Sequence, residues 1–164
     1  MKISTLAERD LVTVNLKAPN RNDAILEIIE ALSSRRKLEF KRQVLTDLLN
    51  RECCGTTAIG NGIAIPHVRM PIVLHVDEAI VSLSFLARPI DFHAADGKPV
   101  TVLFTLVTPT VHGHLHLLAA LAYLLRDEAF LAAVRSAAPG EVLLARAAEV
   151  ERQSAGRRAA GGPA

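Results

Sequence analysis

The sequence predicts an α/β fold, a mixed parallel and antiparallel sheet flanked by helices and organised as a single domain. Three observations carry this reading. Segments with helical spacing of apolar residues alternate along the chain with segments of strand character. One run, Val100 to Val107, is nearly all apolar and fits a central strand covered on both faces. The length, 164 residues with 50% hydrophobic content, suits one core, and with only 4% aromatics that core must be built from Leu, Val, Ile and Ala.

The elements follow in order. Leu11 to Leu16 reads as a short strand, with Val12 and Val14 alternating against Thr13 and Asn15. Asn22 or Asp23 then caps a helix running to about Ser34, with Ile25, Ile28, Ile29 and Leu32 on its apolar face and Glu27 and Glu30 turned away. A second helix, Lys41 to Arg51, repeats the device with Val44, Leu45, Leu48 and Leu49. A turn-rich stretch, Gly55 to Pro66, holds a brief strand at Ile63 to Ile65. Ala79 to Leu86 alternates, Val81, Leu83 and Phe85 against Ser82 and Ser84, and so predicts a half-buried strand. Asp96-Gly97 is a turn signal before the Val100 strand, which implies a hairpin. Leu115 to Leu125 is an apolar helix, followed by shorter helices at Glu128 to Val134 and Glu141 to Val150. The domain is expected to span 1–150. Residues 151–164 have no hydrophobic period and are expected to form a disordered tail.

Composition narrows the function. Net charge is +2, and the tail from Glu151 onward carries all of it, so the folded part is neutral. Phosphate-backbone binding needs clustered Lys and Arg, so nucleic acid is not an expected partner. No window approaches the roughly 18 apolar residues of a membrane span, and the N-terminus lacks the apolar core of a signal peptide. No membrane insertion and a cytoplasmic location are expected. Cys53 and Cys54 read as free thiols in a reducing compartment.

The segment from Arg51 to His67 is over-specified for packing. Gly60-Asn61-Gly62 permits left-handed backbone angles and close approach. Ile63 to Ile65 anchors the chain, and Pro66 withdraws an N–H, so the strand should stop there. His67 would then emerge at a strand end on a rigid support. A neutral imidazole nitrogen is nucleophilic near neutral pH, and a phosphorylated ring remains a good leaving group. A carrier of phosphoryl groups needs little more than ring orientation and stabilisation of the equatorial oxygens. Arg51 can supply positive charge, and Thr56, Thr57 and loop N–H groups can donate hydrogen bonds.

Gly-Asn-Gly-Ile-Ala-Ile-Pro-His, eight consecutive positions ending at His67, resembles the active-site signature of enzyme IIA of the fructose–mannitol class in the phosphoenolpyruvate-dependent phosphotransferase system. That class includes the nitrogen-regulatory enzyme IIA proteins. Pro89-Ile90-Asp91-Phe92, Asp96-Gly97-Lys98-Pro99-Val100 and His114-Leu115-His116-Leu117-Leu118-Ala119 extend the likeness, which covers roughly residues 3–150. The resemblance implies a mixed sheet between helices, and no cofactor. It also implies that His67 accepts phosphate from a histidine-containing phosphocarrier protein, with His114 beside it in a supporting role and Arg51 binding the phosphoryl group. The acceptor would be an enzyme IIB or a regulated target protein. Val68 stands where a small residue usually follows the histidine, and Ala58 where glycine is common.

Within this reading a regulatory role competes with sugar uptake. The absence of an attached IIB or membrane domain in the sequence leans towards nitrogen regulation. A rival of another class is a metal-dependent hydrolase using His67 with His112, His114 and His116. On a helix, however, His114 points about 200° away from His112, and no metal site is expected. His75 and His93 read as surface residues, and Glu52 as a solvated glutamate at a helix end.

Overall fold

The computed structural model describes residues 2–6, 12–35, 40–68 and 78–160. Among the described residues eleven elements follow in order. They are α1 (Ile3–Leu6), β1 (Val12–Leu16), α2 (Arg21–Arg35), α3 (Lys41–Cys53), β2 (Ala58–Gly60), β3 (Ile63–Ala64), β4 (Ile80–Ile90), β5 (Val100–Val107), α4 (Val111–Leu124), α5 (Glu128–Arg135) and α6 (Gly140–Ala160). The five strands form one sheet in the order β1-β4-β5-β3-β2. β1 is parallel to β4 and β3 parallel to β5, while β4–β5 and β2–β3 are antiparallel. The mixed sheet is therefore as expected, with the apolar Val100 strand at its centre.

Alternation along the two middle strands divides the core in two. Val81, Leu83 and Phe85 of β4 join Val102, Phe104 and Leu106 of β5 against α4, α5 and α6. Ile80, Leu103 and Val107 face the other way, onto Ile25, Ile28, Ile29 and Leu32 of α2 and Val44 and Leu48 of α3. β4 is consequently buried on both faces, not half-buried: Ser82 and Ser84 are covered by α2 and α3 as fully as their apolar neighbours. The expected alternation in β1 fails in the opposite sense, because Val14 lies at a sheet edge and is 66% exposed.

The starts of α2, α4 and α5 fall where side chains can reach back to free N–H groups, whereas α3 begins after Phe40 without a side-chain cap. Asn20, rather than Asn22 or Asp23, begins α2: its Oδ1 accepts from Asp23 N at 3.0 Å and its Nδ2 donates to Asp23 Oδ2 at 2.6 Å. Thr110 caps α4, accepting from Gly113 N at 3.1 Å, so that helix begins at Val111 and takes all three nearby histidines into its first two turns. The structure also corrects the tail as far as Ala160, while residues 161–164 lie outside the described residues. α6 runs on through Ala160 instead of dissolving at Glu151. Extending an anchored helix fixes one residue per new hydrogen bond, and Glu, Arg, Gln and Ala favour it. Glu151 also accepts from Ile3 N at 2.6 Å and from the Ser4 hydroxyl.

Candidate functional site

β3 runs parallel to β5, and its chain continues past Pro66 far enough for His67 to bridge Leu106, with Leu106 N donating to Pro66 O at 2.9 Å. β3 thus ends at Ala64, one residue earlier than expected, and pairing resumes for one residue beyond Pro66. His67 is held half-buried at this point. Its Nδ1 lies 2.6 Å from Ile65 O. A carbonyl only accepts, so Nδ1 carries the ring proton and Nε2 keeps its lone pair. Arg51 Nε donates to that Nε2 at 3.1 Å, while Arg51 Nη1 donates to Gly55 O at 2.9 Å. The last turn of α3 therefore delivers a guanidinium directly to the histidine nitrogen. Beside it opens a pocket of about 320 Å³ lined by Arg51, Cys54, Gly55 and Thr56.

His114 approaches from the first turn of α4. Its ring centroid is 5.1 Å from that of His67, tilted by 40°. His114 is buried, and its Nδ1 has no hydrogen-bond partner. An unpaired lone pair costs less than an unpaired N–H, which favours the proton on Nε2. Both imidazoles are held below the ordinary histidine pKa. For His67, burial is the main cause, opposed by the Ile65 carbonyl and assisted by the positive charge of Arg51. For His114, burial again leads, followed by the neighbouring His67 and Arg51. The pair is therefore poised as neutral bases near neutral pH.

The loop before β3 is fixed by side chains. Gly60, Asn61 and Gly62 all have positive φ, as their sequence predicts. Asn61 N donates to Asp96 Oδ2 at 2.8 Å, and Lys98 N to Asp96 Oδ1 at 3.2 Å. Those two backbone donors hold the Asp96 carboxyl below the usual carboxylate range. A Cβ on Gly60 would meet Asp96 Oδ2 at 3.1 Å, so glycine is needed for closeness as well as for φ +87°.

The two threonines stand next to the site, but both hydroxyl protons are engaged. Thr56 Oγ1 donates to Phe92 O and accepts from Ala58 N at 3.0 Å. Thr57 is buried and its Oγ1 donates to Glu52 Oε2 at 2.6 Å. Glu52 itself overturns the solvated reading: it is 2% exposed, because the loop folds back over the end of α3 and supplies it with donors. The charge pattern of an Arg-Glu pair at a helix end gave no hint of that inward turn. Val68 is fully buried in the α2/α3 half of the core and Ala58 is half-buried, so neither departure reshapes the exposed rim.

Among the described residues the remaining histidines do not converge on His67. His112 and His116 are exposed on the outer face of α4, opposite His114, and His93 is exposed; His75 lies outside the described residues. Among the described residues no group of three His, Cys, Asp or Glu side chains is placed to hold a metal ion. No helix among them is long and apolar enough to cross a membrane.

Comparison with known proteins bears on the family and the fold. The family described as phosphoenolpyruvate-dependent sugar phosphotransferase system, EIIA 2, matches residues 5–146. A nitrogen regulatory protein of Bradyrhizobium diazoefficiens is 37% identical over 130 residues, 78% of this chain and 82% of that protein. The 2-O-alpha-mannosyl-D-glycerate-specific EIIABC component of Escherichia coli is 31% identical over 148 residues, 88% of this chain but 22% of that longer protein. Among solved structures, the nitrogen regulatory protein IIA-Ntr of Neisseria meningitidis superposes with a TM-score of 0.76 at 26% identity, covering 88% of this chain and 98% of that one. With sequence, sheet order and likeness in agreement, this chain belongs to the EIIA 2 family of the phosphoenolpyruvate-dependent sugar phosphotransferase system, as a phosphotransferase component.

Proposed function

We propose that this protein is a phosphohistidine carrier that accepts its phosphoryl group on His67 Nε2 and serves nitrogen regulation. The observation that carries the reading is the pair of bonds on the His67 ring. Ile65 O takes the Nδ1 proton, leaving Nε2 as the nucleophile, and Arg51 already stands at that nitrogen. In the transfer, Nε2 attacks the phosphorus of a donor phosphohistidine. The new N–P bond forms as the donor's N–P bond breaks, and the released electron pair stays on the donor imidazole. The phosphorylated His67 ring keeps its Nδ1–H and so gains positive charge, which the Ile65 carbonyl stabilises. Arg51 then exchanges a neutral acceptor for phosphoryl oxygens, a stronger charge-assisted contact. His114 Nε2–H is the second donor at ring distance. Thr56 and Thr57 serve by holding the loop, since their hydroxyls are committed within it.

The donor is a histidine-containing phosphocarrier protein, and the site of action is the cytoplasm, where such carriers and phosphoenolpyruvate meet. Incubation with phosphoenolpyruvate, enzyme I and the carrier should label the parent, while His67→Ala should take up no label; equal labelling of both would refute the assignment. The regulatory reading rests on the nitrogen regulatory relative, which matches along most of both chains. It predicts that phosphorylation changes which target proteins bind. A pull-down with the parent and with His67→Asp should recover different partners. Identical partners, together with rapid transfer to an enzyme IIB, would instead assign the protein to sugar uptake.

A further inference from the structure

Glu52 is a carboxylate that the transfer chemistry does not use, yet it is 2% exposed and fully engaged. Its Oε1 accepts from Thr57 N at 3.0 Å and its Oε2 from Thr57 Oγ1 at 2.6 Å. The Arg21 guanidinium at the start of α2 stands 3.6 Å from Oε1, which balances the charge. Thr57 O in turn accepts from Ile65 N at 3.0 Å, and Ile65 O holds His67 Nδ1 at 2.6 Å. Three consecutive links, the first of them a double hydrogen bond, thus join a buried carboxylate to the ring nitrogen that decides the histidine tautomer. We infer that Glu52 is a positioning residue for His67, acting through Thr57 and Ile65 to hold the Nδ1–H tautomer and aim Nε2 outward.

The chemistry explains why a carboxylate suits the place. Two oxygens on one carbon can accept the N–H and the O–H of a single residue together, which fixes Thr57 in both position and rotation. With Thr57 fixed, its carbonyl pins the Ala64–Ile65 peptide through Ile65 N and so holds the Ile65 Cα from which the next peptide, carrying Ile65 O, projects toward the imidazole. Removing the clamp loosens that anchor and lets the Ile65 oxygen shift from the ring. The ring then samples the Nε2–H tautomer, whose lone pair sits on Nδ1 and leaves none on Nε2 to attack phosphorus. The inference rests on His67 as the acceptor, but its first readout, the tautomer, needs no phosphate.

The test uses the full chain. Imidazole 15N shifts of His67 report the tautomer, and initial rates of labelling from phosphoenolpyruvate, enzyme I and the carrier report transfer. In the parent the Nδ1–H form should dominate. In Glu52→Ala the two forms should become mixed and the labelling rate should fall by about tenfold or more, as expected for a misaimed nucleophile. Glu52→Gln keeps one acceptor oxygen and should fall between them. Thr57→Val, which removes only the hydroxyl link, should shift the tautomer in the same direction and serves if the Glu52 variants do not fold. Leu143→Ala, destabilised in the opposite half of the core, should keep the parent tautomer. The inference is overturned if the folded Glu52 or Thr57 variants retain parental 15N shifts, or if Leu143→Ala changes them equally. Absence of label on the parent's His67 with the tautomer shift intact would strike the carrier reading and leave the clamp standing.

Discussion

The two edges of the sheet are built differently. At one edge β1 pairs along β4 with a register shift, Val14 lies largely in solvent, and the contacts are mainly those of the ladder. At the other edge β2 and β3 are three and two residues long, too short for their ladders to define a loop. There side chains take over: Glu52 holds Thr57, Thr56 holds Phe92 O, and Asp96 holds the Asn61 turn. The comparison teaches where rigidity comes from when strands are short. A ladder tolerates slip, whereas a set of bonds from unique side chains to unique backbone atoms permits one arrangement, and the proposed phosphoryl-transfer site sits on that edge.

The largest effect that would break the contrast is at Arg51. Arg51→Ala should lower the rate of phosphoryl acceptance by about 100-fold, the loss typical of one charge-stabilising donor, while Thr13→Ala on β1 should leave that rate unchanged in the same labelling assay. Next is Gly62, with φ +76° and a would-be Cβ 3.1 Å from Thr101 Oγ1. Gly62→Ala should destabilise the fold by about 1–2 kcal/mol in urea titration. An equal loss from Val14→Thr would erase the distinction between the edges, since an exposed substitution should stay within about 0.5 kcal/mol.

Acid should separate the edges more gently. His67 and His114 are both depressed below 6.5, chiefly by burial. Below that value the unfolded chain binds more protons than the folded one, so stability falls with pH until the folded-state values are passed. Urea midpoints measured downward from about pH 7.5 should drop in this window, and His114→Phe should flatten the drop. The smallest effect expected is local: Asp96→Ala should speed amide exchange at Asn61 and Lys98 while β1 amides stay as they were.

Much of this was legible in the residues. The helical faces of α2 and α3, the central position of β5 and the positive backbone angles of Gly60-Asn61-Gly62 follow from spacing and side-chain type alone. So does the prominence of His67, because Pro66 and the glycines restrict the chain independently of its surroundings. What was not legible depends on partners distant in sequence. Glu52 reads as solvated until the loop folds over it, Ser82 and Ser84 read as a wet face until α2 and α3 cover them, and β2 exists only because β3 lies alongside. The helical course of 151–160 likewise needs the helix before it and the N-terminal turn that Glu151 receives.

That last contact spans 148 positions. During synthesis α1 can make this contact only after α6 has been made, and a closure over so long a separation forms slowly. Sheet and histidine pocket are complete in sequence before then. The docking of α1 onto α6 is therefore a late step in assembly, on elements remote in sequence from His67.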